Sequence, residues 1–242
     1  MRACAVIVAG GVGERFGNPG GKQLVDVCGR PLMSWSIRAF DRARSIEQIV
    51  VVCPPDRREA YVAAAIEPYS WSTPITFADA GATRQDSTRS GVEAAPAACD
   101  VVAIHDSARP LITPAAIDAA VEVLAAAPEL AGTICGQPAI DTLKLADAQG
   151  VIESTPDRSR YWTVQTPQVF RRVEMLAAYD AAEAEGFCGT DDASLVERAG
   201  GRVLCVSTPR DNLKVTVPED LLLVTALMNA RLEQERASTD AE

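Results

Sequence analysis

Short, unbroken apolar runs recur along the chain, each closed by glycine or proline and followed by apolar residues spaced three and four apart. Cys4 to Val8 is the first such run, suited to a strand buried on both faces. In residues 31–40, Leu32, Ser36, Ile37 and Phe40 fall on one side, which predicts a helix with Pro31 in its first turn. Ile46 to Cys53 reads as a second buried strand closed by Pro54-Pro55, residues 56–67 as a helix, and Ile75 to Ala78 as a third strand. Gly81 to Ser87 leads into a helix that reaches about Ala95. Val101 to Ile104 is a strand that runs out into His105-Asp-Ser-Ala-Arg-Pro110. Thr113-Pro114 forms an N-cap with proline at the first helical position, and the helix it opens runs to Ala127. Strands alternating with helices at this spacing predict an α/β fold: a mostly parallel, twisted sheet with helices on both faces.

The pattern changes after Thr133 to Gly136, which is strand-like. Asp141 to Thr155 reads as a hairpin turning near residues 147–150, with too few apolar residues to bury a core of its own. Residues 137–160 are therefore expected to form an inserted, protruding β-arm that packs on a partner subunit. Tyr161 to Phe170 returns to the body. Helices are expected at 172–185 and 191–199, the second opened by Thr190 with Asp191 and Asp192 in its first turn. Arg202 to Val206 is a strand, Asn212 to Thr216 a loop or short strand, and Glu219 to about Glu235 a last helix, frayed beyond Arg236. Repeats and low-complexity linkers are absent, so residues 1–242 read as a single domain bearing the arm.

Composition narrows the function classes. At 48% hydrophobic and 23% charged, the chain has an ordinary globular balance. A formal net charge of −10 argues against nucleic acid as a partner. The apolar runs are too short to span a bilayer, and Met1-Arg2 opens no signal peptide, so no membrane partner and a cytoplasmic location are expected. The 7 cysteines are odd in number and form no C-x-x-C pair. Cys4, Cys53, Cys135 and Cys205 sit in strand-like runs and are expected as buried free thiols. One histidine, His105, and no cysteine pairs argue against zinc.

The candidate chemistry gathers after the first strand. Gly10, Gly11, Gly13, Gly17, Gly20 and Gly21 surround Arg15 and Lys22. Glycines let backbone N–H groups approach a phosphate, and the two cations add full positive charge. Phe16 stands where both the Walker and the Rossmann patterns need a glycine, and Gln23 replaces the Walker Ser or Thr. The loop thus fits neither pattern. Parallel sheets bind ligands at the carboxyl ends of their strands, where this loop and His105–Pro110 both fall. Asp106 suits a magnesium ion shared with substrate phosphates. His105, directly before it, is expected to be structural. A phosphate-rich cleft without a nucleophile–base pair points to phosphoryl or nucleotidyl transfer, which needs positioning and charge neutralisation above all.

Ala9-Gly-Gly-x-Gly-x-Arg15 with Lys22-Gln23, His105-Asp-Ser-Ala-Arg-Pro110, Asp141-Thr-x-Lys144, Thr166-Pro-Gln168, Thr190-Asp191 and Asn212-x-Lys-Val-Thr216 occur in order along nearly the whole chain. Together they resemble the 2-C-methyl-D-erythritol 4-phosphate cytidylyltransferases of the non-mevalonate isoprenoid pathway. The resemblance implies a single nucleotidyltransferase domain of the nucleotide-diphospho-sugar transferase type. It also implies CTP and a polyol phosphate as substrates, Mg²⁺ as cofactor, and a homodimer whose arms exchange between active sites. Arg15 and Lys22 then resemble the pair that stabilises the transition state, and Arg158 and Lys214 the residues that position the substrate phosphate. Asp106 is similar to the residue at the nucleotide and metal. Arg109, Thr142, Thr166 and Thr190 resemble the rest of the substrate pocket. Ala9, Gly10, Gly11, Gly13, Gly81, Ser87 and Ser107 resemble the nucleotide-binding positions. Glu14, Ile140, Ala82 and Gly20-Gly21 depart from the family's usual residues. The alternatives are a ribitol 5-phosphate cytidylyltransferase and a non-catalytic nucleotide-binding protein.

Overall fold

In the computed structural model, which describes residues 1–11, 16 and 21–239, the apolar runs become the strands of one sheet. The chain first forms β1 (Ala3–Val8), the two-residue strands β2 (Asp26–Val27) and β3 (Arg30–Pro31), α1 (Leu32–Asp41), β4 (Ile46–Cys53), α2 (Arg58–Tyr61), β5 (Ile75–Asp79), α3 (Arg84–Ala94), β6 (Val101–Asp106) and α4 (Pro114–Ala126). It continues with β7 (Gly132–Pro138), β8 (Leu145–Ala146), β9 (Ile152–Ser154), β10 (Trp162–Arg171), α5 (Arg172–Glu185), α6 (Asp192–Arg198), β11 (Val203–Ser207) and α7 (Asp220–Thr239).

Among the described residues, 7 strands form the main sheet in the order β11-β7-β10-β6-β1-β4-β5. All neighbours pair in parallel except β10, which runs antiparallel to both β6 and β7. From β1 the chain crosses first to β4 and β5 on one side, then back to β6 on the other. The strand order therefore reverses between β1 and β6, and a crevice opens outside their carboxyl ends.

Side-chain alternation along the central strands feeds two apolar layers. Ala3, Ala5 and Ile7 of β1 pack with Met33, Ile37 and Phe40 of α1 and with Ile117, Val121 and Leu124 of α4. Cys4 and Val6 pack on the other face with Val92 of α3, Tyr179 of α5 and Leu195 of α6. A third cluster joins Phe16, Val27, Leu32 and Trp35 to Ala108, Leu111 and Val215, with Val224 and Met228 of α7 over it. It fastens Phe16 and the β2–β3 region to the segments after β6 and before α7. Each fully buried aliphatic side chain contributes roughly 1.5–3 kcal/mol to this arrangement.

Several elements differ from the sequence-based expectation. Residues 56–67 do not form one regular helix: a 3-10 turn over Pro55–Arg57, α2 and a π turn over Val62–Ile66 follow in succession. The widened turn closes through the Glu67 N–H to the Val62 carbonyl at 2.9 Å, while the Trp71 indole takes the Ile66 carbonyl at 2.9 Å. Pro31 belongs to β3 and precedes α1 as its N-cap. Asp191, not Thr190, caps α6, its carboxylate accepting from the Ser194 N–H at 3.0 Å. The last helix runs on to Thr239, beyond the expected fraying point. All 7 cysteines are free. Cys4, Cys53 and Cys135 are buried, but Cys205 is only half-buried because β11 is an edge strand.

The arm takes the expected form of a hairpin, though with very short strands. β8 pairs antiparallel with β9. The Asp147 carboxylate accepts from the Gln149 and Val151 N–H groups at 3.0 and 2.9 Å, and Gly150 supplies the left-handed residue at φ 84. Ile140, Leu145, Val151 and Ile152 are each more than half exposed.

Candidate active site

The crevice at the β1–β6 reversal is a cleft of about 320 Å³ whose lining includes Gly10, Gly11, Lys22, Gly81, Arg84, Ser87, Asp106, Ser107 and Lys214. Its base is made where β1 and β6 end. The Ser107 N–H bonds the Val8 carbonyl at 3.2 Å, and the Ser107 hydroxyl lies 2.7 Å from that carbonyl and 2.8 Å from the buried Gln23 amide. Gly10 is required by space: a Cβ there would sit 2.9 Å from that of Ala80. One wall is the turn before α3. The Gly81 N–H bonds the Ser87 hydroxyl at 3.0 Å, and that hydroxyl donates to the Thr83 carbonyl at 2.9 Å. Thr83 and Asp86 form a reciprocal capping box, each backbone N–H bonding the other's side chain at 3.0 Å. This starts α3 at Arg84 and aims that residue into the cleft.

Charge concentrates around Asp106. Lys214 Nζ lies 2.8 Å from its Oδ2, Arg84 Nε 3.6 Å from Oδ1, and Arg109 Nε 3.7 Å from Oδ2. Burial works against the carboxylate, but Lys214, Arg84 and Arg109 outweigh it and hold Asp106 well below the ordinary carboxylate range. The strands behind are locked by hydrogen bonds. The Thr166 hydroxyl accepts from the Asp106 N–H at 3.0 Å and donates to His105 Nδ1 at 3.0 Å, while His105 Nε2 donates to the Arg109 carbonyl at 3.2 Å. Burial is the main cause that lowers His105 to about 3, so its ring is neutral in the fold. The segment before α7 is stapled to the same region. Val215 N–H bonds the Ala108 carbonyl at 2.8 Å, Lys22 Nζ donates to the Val215 carbonyl at 2.7 Å, and Arg109 Nη1 donates to the Asn212 carbonyl at 3.0 Å.

Of the residues anticipated from sequence, Gly10, Gly11, Lys22, Gly81, Ser87, Asp106, Ser107 and Lys214 meet at this cleft. Gly13 and Arg15 lie outside the described residues. Ala9 is buried behind the cleft, its N–H bonded to the Val52 carbonyl at 2.8 Å. Arg109 and Thr166 do not line the opening: they brace Asp106 from behind. Thr190 is exposed just before α6. Thr142 and Arg158 are exposed on the arm, where Arg158 Nη1 donates to the Ile140 carbonyl at 2.5 Å. Arg84 was not singled out, although it lies in the Gly81–Ser87 stretch expected at the nucleotide and the Thr83-x-x-Asp86 capping pattern marks it as a first helical residue. Neither was Asp192, which pairs with it at 2.8 Å.

Comparison with known proteins decides the family. Residues 3–230 match the family model described as IspD, 2-C-methyl-D-erythritol 4-phosphate cytidylyltransferase. The chain belongs to that family. It is 42% identical over 230 residues to the 2-C-methyl-D-erythritol 4-phosphate cytidylyltransferase of Syntrophotalea carbinolica, covering 95% of this chain and 97% of that one. The enzyme of the same name from Caldanaerobacter subterraneus subsp. tengcongensis is 39% identical over 223 residues, at 92% and 97% coverage. The crystal structure of 4-diphosphocytidyl-2C-methyl-D-erythritol synthase from Anaerococcus prevotii superposes with a TM-score of 0.82 at 25% identity, covering 94% and 96%. The cytidylyltransferase structure from Thermus thermophilus gives 0.74 at 28%, covering 94% and 98%. The protein is thus a member of the cytidylyltransferases, and its cleft has the chemistry a nucleotidyl transfer needs: fixed cations in a preorganised site.

Proposed function

We propose that this protein transfers the cytidylyl group from CTP to 2-C-methyl-D-erythritol 4-phosphate, releasing pyrophosphate, as a step of isoprenoid precursor synthesis in the cytoplasm. The observation that carries this reading is the convergence of Lys22, Arg84 and Lys214 on one cleft around Asp106, with the single histidine held neutral in the fold. A phosphate oxygen of the alcohol attacks the α-phosphorus of CTP, and the bond to the β-phosphate breaks. A phosphate monoester is already ionised near neutral pH, so no side chain need remove a proton. Gly10, Gly11, Gly81, Ser87 and Ser107 receive the nucleotide. Lys22, with Arg15, offsets the charge that builds up at the α-phosphorus.

A Mg²⁺ ion fits the donor set. Asp106, the carboxylate at the end of β6 in the cleft, is the protein ligand we assign. Magnesium commonly combines one or two carboxylates with water and substrate phosphates. When bound it neutralises phosphate charge and polarises the phosphoryl oxygens.

The arm supports a homodimer in which Thr142 and Arg158 serve the neighbouring subunit's cleft together with that cleft's Lys214. Its exposed Ile140, Leu145, Val151 and Ile152 are apolar surface of the kind an interface covers. Among the described residues no helix is long and apolar enough to cross a membrane.

Pyrophosphate release with CTP and magnesium, offering methylerythritol 4-phosphate and ribitol 5-phosphate in parallel, tests the reading. Release is expected with the first and little with the second. A preference for ribitol phosphate would move the substrate assignment, and release with neither would remove it.

A further inference from the structure

We propose that Asp192 and Tyr179 are positioning residues for the cytidylyl transfer, holding Arg84 in the cleft wall so that its guanidinium meets the phosphates of the nucleotide. The inference rests on the CTP reading above and extends it to residues outside the cleft. Arg84 sits between two carboxylates of unequal claim. Its Nη2 is 2.8 Å from Asp192 Oδ2, while its Nε is 3.6 Å from Asp106 Oδ1, beyond hydrogen-bond length. Asp192 therefore anchors it, and Asp106 only faces it.

The anchor is built from the interior. Asp192 is 1% exposed at the first residue of α6. Tyr179 of α5, also 1% exposed, donates its hydroxyl to Asp192 Oδ1 at 3.2 Å. Asp192 Oδ2 meets no hydrogen-bond donor of good geometry and relies on the Arg84 ion pair. Burial works against the Arg84 charge, but Asp192 first and Asp106 second outweigh it and raise Arg84 above its ordinary range. A buried ion pair of this kind is a poor way to gain stability, since apolar residues of similar volume serve as well or better. What it supplies is a fixed direction. Arginine has five donors in a rigid fork, suited to phosphate oxygens. With one end held by Asp192, the rest of the fork stays in the cleft that Gly81, Lys22 and Lys214 also line. Arg84 then holds its place whether or not Asp106 is engaged by substrate.

The test compares Asp192→Asn, Tyr179→Phe, Arg84→Met and the Asp192→Asn/Arg84→Met double variant with the unmodified enzyme. CTP binding is followed by calorimetry, CTP-dependent pyrophosphate release by steady-state kinetics, and folding by thermal melting. Asp192→Asn is expected to raise the KM and Kd for CTP about tenfold, with the KM for the alcohol phosphate changed less than about twofold. Tyr179→Phe should shift the CTP constants in the same direction by about threefold. In the Arg84→Met background, Asp192→Asn should add nothing further. A variant set that melts lower but binds CTP normally would overturn the proposal, as would an Asp192→Asn effect that persists without Arg84. Should Asp192→Asn fail to fold, Tyr179→Phe, which removes a single hydroxyl, carries the decision. An unmodified enzyme that neither binds CTP nor releases pyrophosphate would instead defeat the activity on which the inference stands.

Discussion

Bonded at both ring nitrogens within β6, His105 links the acid stability of the fold to the geometry of Asp106. Its folded value of about 3 against 6.5 in the unfolded chain means that the unfolded state takes up a proton first as pH falls. Stability that is complete above 6.5 is therefore lost steadily down to about 3. Asp106, held low, adds its own loss only below its ordinary 3.8. Between pH 6.5 and 5 the protein should lose about 2 kcal/mol through His105 alone. Urea unfolding at several pH values checks this: His105→Gln should flatten the slope in that window, and an unchanged slope would exclude His105 as its source. The sequence made Lys22, Asp106 and Lys214 legible because each stands at a strand end or in a glycine-rich or loop motif. The link from Arg84 to Asp192 and Tyr179 escaped because it is purely spatial. Nothing in the order of residues says that α3, α5 and α6 share one face of the sheet.

At the scale of elements, α3 is the helix on which the site depends, since it carries both the Gly81–Ser87 turn and Arg84. It can lie close to the sheet because of Gly91, where a Cβ would stand 2.4 Å from Val6 Cγ1 and 2.6 Å from Val52 Cγ2. Gly91→Ala gains about 1 kcal/mol of helix propensity. The stiff β-branched neighbours cannot yield that space cheaply, so a net loss of about 1–3 kcal/mol is expected. Urea denaturation measures it, and trimming the contact with Val6→Ala in the same chain should return part of the loss. A stabilised Gly91→Ala would show that α3 can withdraw from the sheet. The strands and most helices were readable from period and punctuation alone. Less readable were the broken segment from Pro55, where the Ser34 hydroxyl donates to the Ala65 carbonyl at 2.8 Å and the Trp71 indole takes that of Ile66, and the cap of α6. Thr190 and Asp191 are both good caps by residue type, and only the backbone geometry chooses Asp191.

Over the whole molecule, a chain of net charge −10 keeps its site cationic by gathering Lys22, Arg84 and Lys214 at one crevice. The arm is the part whose purpose a single chain leaves open, since Thr142 and Arg158 are exposed there and do not line this cleft. If Arg158 completes a partner's site, inactive Arg158→Ala and Lys22→Ala proteins should complement when mixed. Half of a random mixture is heterodimer with one intact site of two, so about a quarter of the normal pyrophosphate release is expected. Verified heterodimers without activity would return Arg158 to its own subunit.

The antiparallel β10 has a further consequence. The parallel neighbours in the sheet are reached by crossovers, whereas β7 and β10 are the two legs of one long hairpin, and the arm is merely its tip. The legs are joined from Pro138–Trp162 to Gly136–Val164, then break register before pairing again from Gln168. The break falls between the arm and the stretch of β10 that pairs with β6, Gln168 to Arg171, so the arm's pairing and the sheet's pairing are separate along one strand. The fold is thus built as a handle and a blade: the β7–β10 legs belong to the main sheet, while the blade beyond them carries its own small sheet of β8 and β9.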